Sequence, residues 1–539
     1  MFYNSWKLFK FTARKERATT PIWIAAIVAF VAVLVPVMYV SIDEVSRADM
    51  ALILNDPTMI AMIGPAYGVD EGLYTFAAWF SHMMFIFSAV AVAVMSIFLV
   101  VRHTRADEEG WRYEVLRSLP IGSLTNIHAT AMFTLCVNVI IAVFTGLLMW
   151  ALGDESMTFG GSMLFGVGLG TVGLVFGGIA ALFSQLSSTT RGALGYSFMA
   201  LGVFYMMRAA GDNGAEVLSL ISPLGLAQRS QFFVGNHILP QIVMLIVADV
   251  LFLAAYKLNT MRDIDQGFIP IRPGRYEAKK SLLSPFGLAM RLSRGTIVVW
   301  AIVAFVFAAS YATILGDIED FIMGNEMYQQ LLGLGGLDLA ELGGMLVLNF
   351  ATMITFIMTI MLTAPVIMIA QRLKSEEKEG RVEFVLSCAV DKKRLLVNYL
   401  LIASVAAVIL QVAFALGMYS TAAAMLDPVP FTLGDMMAAA LVYLPAIWVV
   451  IGLSGLMLAL GKKYAGIIWV YFIAMFFIFF LGNFGILSEF LSYLSVFYYI
   501  PPVPIEDFAV LPAVVLTVVA VAAGVGSVVL YGRRDISNI

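Results

Sequence analysis

The sequence predicts an all-α polytopic membrane protein of about twelve transmembrane helices, arranged as two parallel six-helix repeats with pseudo-twofold symmetry. Hydrophobic residues make up 61% of the 539 residues and charged residues only 13%, whereas soluble globular domains contain roughly 45–50% and 25%. Apolar runs of the length that crosses a bilayer, about 20 residues, recur along the whole chain. The motifs between these runs occur twice in the same order. This composition excludes a soluble enzyme and a disordered chain.

The apolar runs define the predicted spans, and the segments between them are short. None of these connecting segments is long enough for a soluble catalytic domain, which needs about 100 residues or more. In chain order, the spans fall at 21–40, 75–101, 125–151, 158–184, 192–211, 237–256, 296–315, 344–370, 395–424, 434–460, 464–486 and 509–531.

The distribution of basic residues predicts the orientation, because Lys and Arg are retained on the cytoplasmic side of a membrane. If the N-terminus is inside, all but three of the 32 Lys and Arg residues fall in predicted cytoplasmic segments. The exceptions are Arg47, Arg208 and Arg229. The predicted outer loops after the first and seventh spans are acidic instead. Both termini are therefore expected in the cytoplasm.

Four motifs of the first half recur in the second half, in the same order relative to the spans. The matching positions are Arg14, Arg17 and Trp23 with Arg291, Arg294 and Trp300; Asp107, Glu108, Arg112, Glu114 and Ser118 with Glu376, Glu377, Arg381, Glu383 and Ser387; Glu216, Leu218, Ser219 and Ser222 with Glu489, Leu491, Ser492 and Ser495; and Arg262-Asp263-Ile264 with Arg534-Asp535-Ile536. Because each half holds an even number of spans, both halves are predicted to have the same orientation. We predict a first half at 1–256, a cytoplasmic linker at 257–284 and a second half at 285–539, with an interfacial elbow helix at the start of each half.

The most informative segments are two charged loops, which follow the second span of each half: the first charged loop, 102–120, and the second charged loop, 371–390. Acidic residues suit the positive end of a short helix. In the first loop, Trp111, Val115 and Leu119 are spaced by four, which places them on one helix face. A solvated loop is the alternative, but an apolar stripe made twice predicts a partner groove. The candidate docking residues are Asp107, Glu108, Glu109, Trp111, Arg112, Glu114 and Val115 in the first loop, and Glu376, Glu377, Arg381, Glu383 and Phe384 in the second.

These features resemble the ABC-2 type permeases, in particular the large bacterial proteins of two fused six-span halves that export polyketide and other antibiotics. The shared features are the elbow segment, the E-E-x-G-R-x-E-like loop, the E-x-L-S-x-[IL]-S segment outside the fifth span and the R-D-I ending, and they cover essentially the whole chain. The resemblance implies a multi-pass protein of the bacterial cell membrane whose charged loops are coupling helices for cytoplasmic ABC ATPase subunits, two copies per chain. The second loop has Gly380 and Ala389 where the first has Trp111 and Pro120, so the two docking surfaces are not expected to be equivalent.

The chain itself contains no recognisable nucleotide-binding motif. A P-loop requires G-x-x-x-x-G-K-[ST], and the nearest approach, from Gly455 to Lys463, has the wrong spacing and adjoins a predicted span. Gly168-x-Gly170-x-x-Gly173 matches a dinucleotide fingerprint as text, but it lies inside the fourth span, where such spacing favours close helix packing. We therefore expect no cofactor on this chain, with ATP and magnesium bound by the partner ATPase.

Asp249 is a possible pathway residue, because it lies inside the sixth predicted span, where a charge costs roughly 3 kcal/mol or more. The alternative is a carboxylate paired within the helix bundle or with a basic neighbour such as Lys257. The four His residues are scattered without the spacing of metal ligands, so neither a metal site nor a catalytic site is predicted.

The resulting hypothesis is the permease subunit of an ATP-binding cassette exporter. It would move an amphipathic compound, such as an antibiotic, a drug or a lipid-like molecule, out of the cell, in contact with membrane lipid and without nucleic acid. An ion-gradient-driven secondary multidrug carrier is the alternative. That alternative predicts intramembrane charged relays, for which only Asp249 qualifies, and a G-x-x-x-D-R-x-G-R-like loop after the second span, which is absent. A membrane-embedded enzyme would need a convergent set of His, Asp or Cys residues near one face of the membrane, and the sequence shows no such set.

Overall fold

The computed structural model describes residues 1–41, 57–69, 72–263, 266–269, 276–324, 339–388, 390–426, 429–461, 463–483 and 489–535. Throughout these ranges the regular structure is helical, without a β-strand, which confirms the all-α prediction. The chain separates into two compact units, Met1–Gly274 and Arg275–Ile539. The six-plus-six division and its pseudo-twofold symmetry remain predictions.

The first unit contains a short amphipathic helix at its start and a series of long apolar helices. Its helices are Ser5–Lys15, Thr19–Ser41, Pro57–Ile63, Phe76–His103, Arg105–Glu109, Arg112–Arg117, Thr125–Ala151, Phe159–Leu186, Thr190–Asp212, Glu216–Ile221, Pro223–Gln228 and Leu239–Met261. Three of the long helices begin at a threonine whose side chain accepts a hydrogen bond from the backbone amide three residues later: Thr75, Thr158 and Thr189. Such N-caps satisfy amide groups that the first helical turn leaves without a partner.

The second unit also combines long apolar helices with short ones. Its helices are Pro285–Gly324, Leu339–Ala370, Arg372–Lys378, Arg381–Leu386, Lys392–Met425, Leu433–Leu441, Leu444–Leu460, Ile467–Asn483, Glu489–Ser492 and Val510–Arg533. Its hydrophobic core is formed mainly by aliphatic and aromatic side chains of the long helices.

In the described part of the chain, ten helices are long and apolar enough to cross a membrane, and each coincides with a predicted span. The remaining predicted spans, 21–40 and 464–486, fall on the helices Thr19–Ser41 and Ile467–Asn483. The apolar stretches described there, Thr19–Val31 and Tyr464–Ile478, are shorter than the other ten. The fold is therefore that of a multi-pass membrane protein.

The elbow segments of the two units differ. In the first unit the helix Ser5–Lys15 is capped by Glu16, and a new helix begins at Thr19, two residues before Pro21. In the second unit the predicted elbow is the first part of the continuous helix Pro285–Gly324. The difference has a local reason, because proline favours the first turn of a new helix and none lies between Pro285 and the span.

Glycines in the fourth span allow it to pack directly against the third. An added Cβ at Gly166 would lie 2.1 Å from the carbonyl oxygen of Ala142, and one at Gly173 would lie 1.9 Å from Asn138 Oδ1. Both distances are far below van der Waals contact. Gly166, and Gly173 from the predicted packing motif, therefore both lie at close helix contacts, as small residues commonly do between membrane helices.

Polar side chains join the second and third spans of each unit. Asn138 donates to Ser96 Oγ at 3.1 Å in the first unit, and Gln411 donates to Thr359 Oγ1 at 3.1 Å in the second. All four side chains are buried. Buried amides require such partners, because an unpaired polar group in an apolar environment is costly.

Two of the three arginines expected outside have partners in the first unit. Arg229 pairs with Glu216 at 2.7 Å. Arg208 is buried and contributes to a cluster that holds the helix Pro57–Ile63. Three side chains of this cluster donate to successive carbonyl oxygens: Arg208 to Met62 at 3.2 Å, Gln228 to Ile63 at 2.6 Å and His82 to Gly64 at 2.8 Å. The third arginine, Arg47, and most of the acidic residues predicted in the outer loops lie outside the described residues.

Candidate functional site

Each charged loop forms a pair of short helices joined at a residue in the left-handed conformation. In the first loop the helices are Arg105–Glu109 and Arg112–Arg117, and Trp111 between them has φ 60°. In the second loop the helices are Arg372–Lys378 and Arg381–Leu386, and Gly380 between them has φ 72°. The sequence difference between Trp111 and Gly380 therefore falls on the same bend. Glycine adopts this conformation at little cost, whereas a side chain makes it unfavourable. The prediction that Trp111, Val115 and Leu119 share one helix face is wrong, because Trp111 lies at this bend and the helix ends at Arg117, before Leu119.

The first helix of the first loop is held by charged residues of the unit itself. The carboxylate of Asp107, which is buried, accepts from Lys15 at 3.1 Å and from Arg112 at 3.0 Å. His103 lies 3.7 Å from the same carboxylate and 3.1 Å from Glu16. The elbow helix is thereby tied to the loop through its last turn.

Glu108 is only 4% exposed and contacts two arginines. Arg105 donates to its carboxylate at 2.7 Å, and Arg262, which follows the last helix of the unit, pairs with its other oxygen. Arg262 also donates to Gln185 at 2.7 Å, at the end of the fourth span. Two of the motifs that recur in the sequence are therefore in contact with each other.

The second loop repeats this arrangement. Glu376 accepts from Arg381 at 2.6 and 3.0 Å, as Asp107 does from Arg112. The hydrogen bonds to this carboxylate raise the pKa of the Arg381 guanidinium above its usual value. Glu377, at 1% exposure, accepts from Arg534 and from the hydroxyl of Tyr531. In both units the acidic pair therefore shares two kinds of partner: an arginine five residues after its first member, and the arginine that follows the last helix of the unit.

The second helix of each loop is exposed. Trp111 is 66% exposed and Val115 69% exposed in the first loop, and Phe384 is 77% exposed in the second. The other candidate docking residues exposed on these loops are Glu109, Arg112, Glu114, Arg381 and Glu383. The twelve candidates thus divide into four buried carboxylates that hold the loop and eight side chains on its surface.

An apolar cavity of about 440 Å³ lies in the second unit. Val397, Leu401, Trp448, Thr517 and Val525 are among the residues that line it. A second cavity of about 320 Å³ lies behind the second charged loop, between Leu288, Leu373, Phe384, Leu395 and Tyr399. Both are large enough for an apolar group, and neither is lined by Asp249.

Asp249 is exposed on the helix Leu239–Met261 when the first unit is considered by itself. Its role in a pathway stays a prediction. Among the described residues, no group of three or more His, Cys, Asp or Glu side chains could hold a metal ion. Cys388, the native thiol of the second charged loop, is exposed and lies 3.5 Å from the carbonyl oxygen of Phe384.

Several residues of this cluster were not among the sequence candidates. Lys15, His103, Arg262 and Arg534 are partners of the buried carboxylates, and Glu16 in turn contacts His103. The sequence carried one usable signal, because the R-D-I motif recurs after the last span of each half. The pairing of Lys15, Arg262 and Arg534 with the charged loops is not evident from local spacing, since these three residues are distant from their partners along the chain.

Taken together, the fold and this cluster define an all-α, multi-pass membrane protein with two similarly built helix-pair loops, one in each unit. Residues 282–531 match the family described as "Multidrug efflux system permease Rv1217c, C-terminal domain". The chain is also similar to the multidrug efflux system permease protein Rv1217c of Mycobacterium tuberculosis (strain ATCC 25618 / H37Rv). The two are 29% identical over 99% of this chain and 96% of that relative.

Proposed function

We propose that this chain is the membrane-spanning subunit of an ATP-driven exporter of amphipathic compounds, with ATP hydrolysed by separate subunits that dock on the two charged loops. The proposal depends mainly on one observation: each unit has an exposed short helix, Arg112–Arg117 or Arg381–Leu386. Each of these helices follows a helix whose buried carboxylates are held by ion pairs. The similarity to a multidrug efflux system permease supports export and a drug-like cargo.

The physical argument begins with the apolar side chains on these helices. Trp111, Val115 and Phe384 are more than half exposed although they lie beside charged residues. Exposed apolar side chains on short helices and at their ends bind grooves of partner proteins, and aromatic anchors contribute most of the binding energy at such interfaces. Exposed charges around them favour specificity and the rate of association.

In the proposed cycle, ATP binding brings two ATPase subunits together and displaces both charged loops. The spans attached to those loops then move, and access to the transport pathway changes from one side of the membrane to the other. The ATPase would hold ATP and magnesium. This chain would supply the docking helices, the moving spans and a membrane-facing environment for the cargo.

The direct test is assembly of the purified chain with a candidate ABC ATPase, followed by export in proteoliposomes. Phe384→Asp replaces the exposed aromatic side chain of the helix Arg381–Leu386 with a charge. We therefore expect the binding free energy for the ATPase to weaken by about 2 kcal/mol, or about 30-fold in affinity. Phe490→Asp is the matched control, because Phe490 is a similarly exposed aromatic residue on the short helix Glu489–Ser492.

Two results would count against the proposal. One is equal loss of ATPase binding in Phe384→Asp and Phe490→Asp, which would indicate a general effect of added charge. The other is absence of any complex with the wild-type chain, combined with export driven by an imposed proton gradient. That second result would favour the ion-driven carrier.

A further inference from the structure

A charge pair connects each loop to the end of the last span of its unit. In the first unit Glu108 pairs with Arg262, and in the second unit Glu377 pairs with Arg534. The glutamates belong to one repeated motif of the sequence and the arginines to another. All four side chains are at most 16% exposed. The same glutamate–arginine pair therefore forms in both units.

The arginines also contact the fourth span of their own unit. Arg262 Nε donates to Gln185 Oε1 at 2.7 Å, and Arg534 Nη1 donates to the carbonyl oxygen of Leu458 at 2.5 Å. Gln185 and Leu458 both lie near the end of a long helix, Phe159–Leu186 and Leu444–Leu460. Each guanidinium thus joins three elements: the charged loop, the fourth span and the sixth span.

Such a connection is stiff for physical reasons. A guanidinium presents its donors in a rigid planar fork, so its bonds to a carboxylate and to a second acceptor fix their relative positions. Separating a buried pair leaves an uncompensated charge, which is strongly unfavourable. A displacement of the loop is therefore transmitted to the ends of both spans more readily than the pair is broken.

We infer that these glutamate–arginine pairs are the links that carry movement of each charged loop to the fourth and sixth spans of the same unit. Glu108, Arg262, Glu377 and Arg534 are in this sense positioning residues, which face away from the exposed docking side chains. The inference rests on the proposed function, in which an ATPase moves the loops.

A double-mutant cycle in the second unit tests the link. Glu377→Gln, Arg534→Gln and the double variant are assembled with the ATPase in proteoliposomes, and the number of molecules exported per ATP hydrolysed is measured. We expect each single variant to lower this ratio about tenfold with the complex intact, and the double variant to be no worse than either single one. A purely structural role would reduce assembled complex and leave the ratio unchanged. Glu379→Gln is the control, because Glu379 is an exposed carboxylate of the same loop whose ion pair is with Arg381 of that loop and not with a span.

Hydrogen exchange of the purified chain tests the link without the ATPase. Arg534→Gln should raise exchange at least about fivefold in the helix Arg372–Lys378, because the anchor of Glu377 is lost; Glu379→Gln should not. Unchanged exchange in Arg534→Gln would overturn the link, as would additive losses in the double-mutant cycle. A wild-type chain that exports only under a proton gradient would overturn the proposed function and the ATPase-driven part of the inference. That result is distinguishable from absence of the link, because hydrogen exchange reports on the glutamate–arginine pair without the ATPase.

Discussion

At the scale of single residues, burial separates side chains that look alike in the sequence. Glu108 and Glu109 are neighbours in one acidic run, yet Glu108 is buried against Arg262 whereas Glu109 is exposed and accepts a hydrogen bond from the backbone of Thr190 at 2.7 Å. A charge run is usually a solvated face. Here Glu108 is buried instead, because its basic partner, Arg262, follows a helix that is distant along the chain.

Trp111 offers a test of backbone strain at the bend of the first charged loop. Trp111→Gly and Trp111→Ala both remove the exposed indole, so we expect both to weaken ATPase binding. Only glycine adopts the φ of 60° found at Trp111 without a Cβ penalty of about 1 kcal/mol. The Gly variant should therefore be more stable than the Ala variant by about 1 kcal/mol, measured as thermal unfolding of the purified chain. Equal stability of the two variants would show that this bend is not constrained.

At the scale of elements, the fourth span is held to the third by direct backbone approach. Gly166→Ala would place a methyl group 2.1 Å from the Ala142 carbonyl oxygen, and a backbone atom cannot rotate away. We expect the helices to separate locally and the free energy of unfolding to fall by roughly 1–3 kcal/mol. The measurement is thermal stability and folded yield in detergent.

Gly202→Ala is the matched control for that substitution. Gly202 lies in another membrane-length helix, Thr190–Asp212, and an added Cβ there meets no atom within 4 Å. Its stability should stay close to that of the wild type. A comparable loss in both variants would mean that helix propensity or lipid contact, and not the approach of the third span, determines the effect.

The long elements were predictable, whereas the connections between them were not. The fourth span was predicted at 158–184 and is observed at Phe159–Leu186, because an uninterrupted apolar run specifies a membrane helix by itself. The pairing of Asp107 with Lys15 depends instead on how the elbow packs, and spacing along the chain carries no such information. Likewise, the repeat in the sequence singled out Glu377 and Arg534, together with their first-half counterparts Glu108 and Arg262. It did not indicate that the glutamate and the arginine of each half are in contact.

At the scale of the whole molecule, the two units share a plan and differ in detail. Both place a buried glutamate against the arginine after the last span, and both expose a short helix beyond it. The elbow is a separate helix in the first unit and continuous with the span in the second. If ATPase subunits dock on the two charged loops as proposed, the unequal surfaces predict two docking positions of different affinity.

The thiol of Cys388 makes the second charged loop observable without any engineering. The other cysteine, Cys136, is exposed from a membrane-length helix, Thr125–Ala151, where lipid would shield it from water-soluble reagents. A membrane-impermeant maleimide applied to inside-out vesicles should therefore modify the chain once, and sealed right-side-out vesicles should remain unlabelled. Labelling from the opposite face would reverse the predicted topology. Protection of the thiol on addition of the ATPase would turn the same native atom into a reporter of docking.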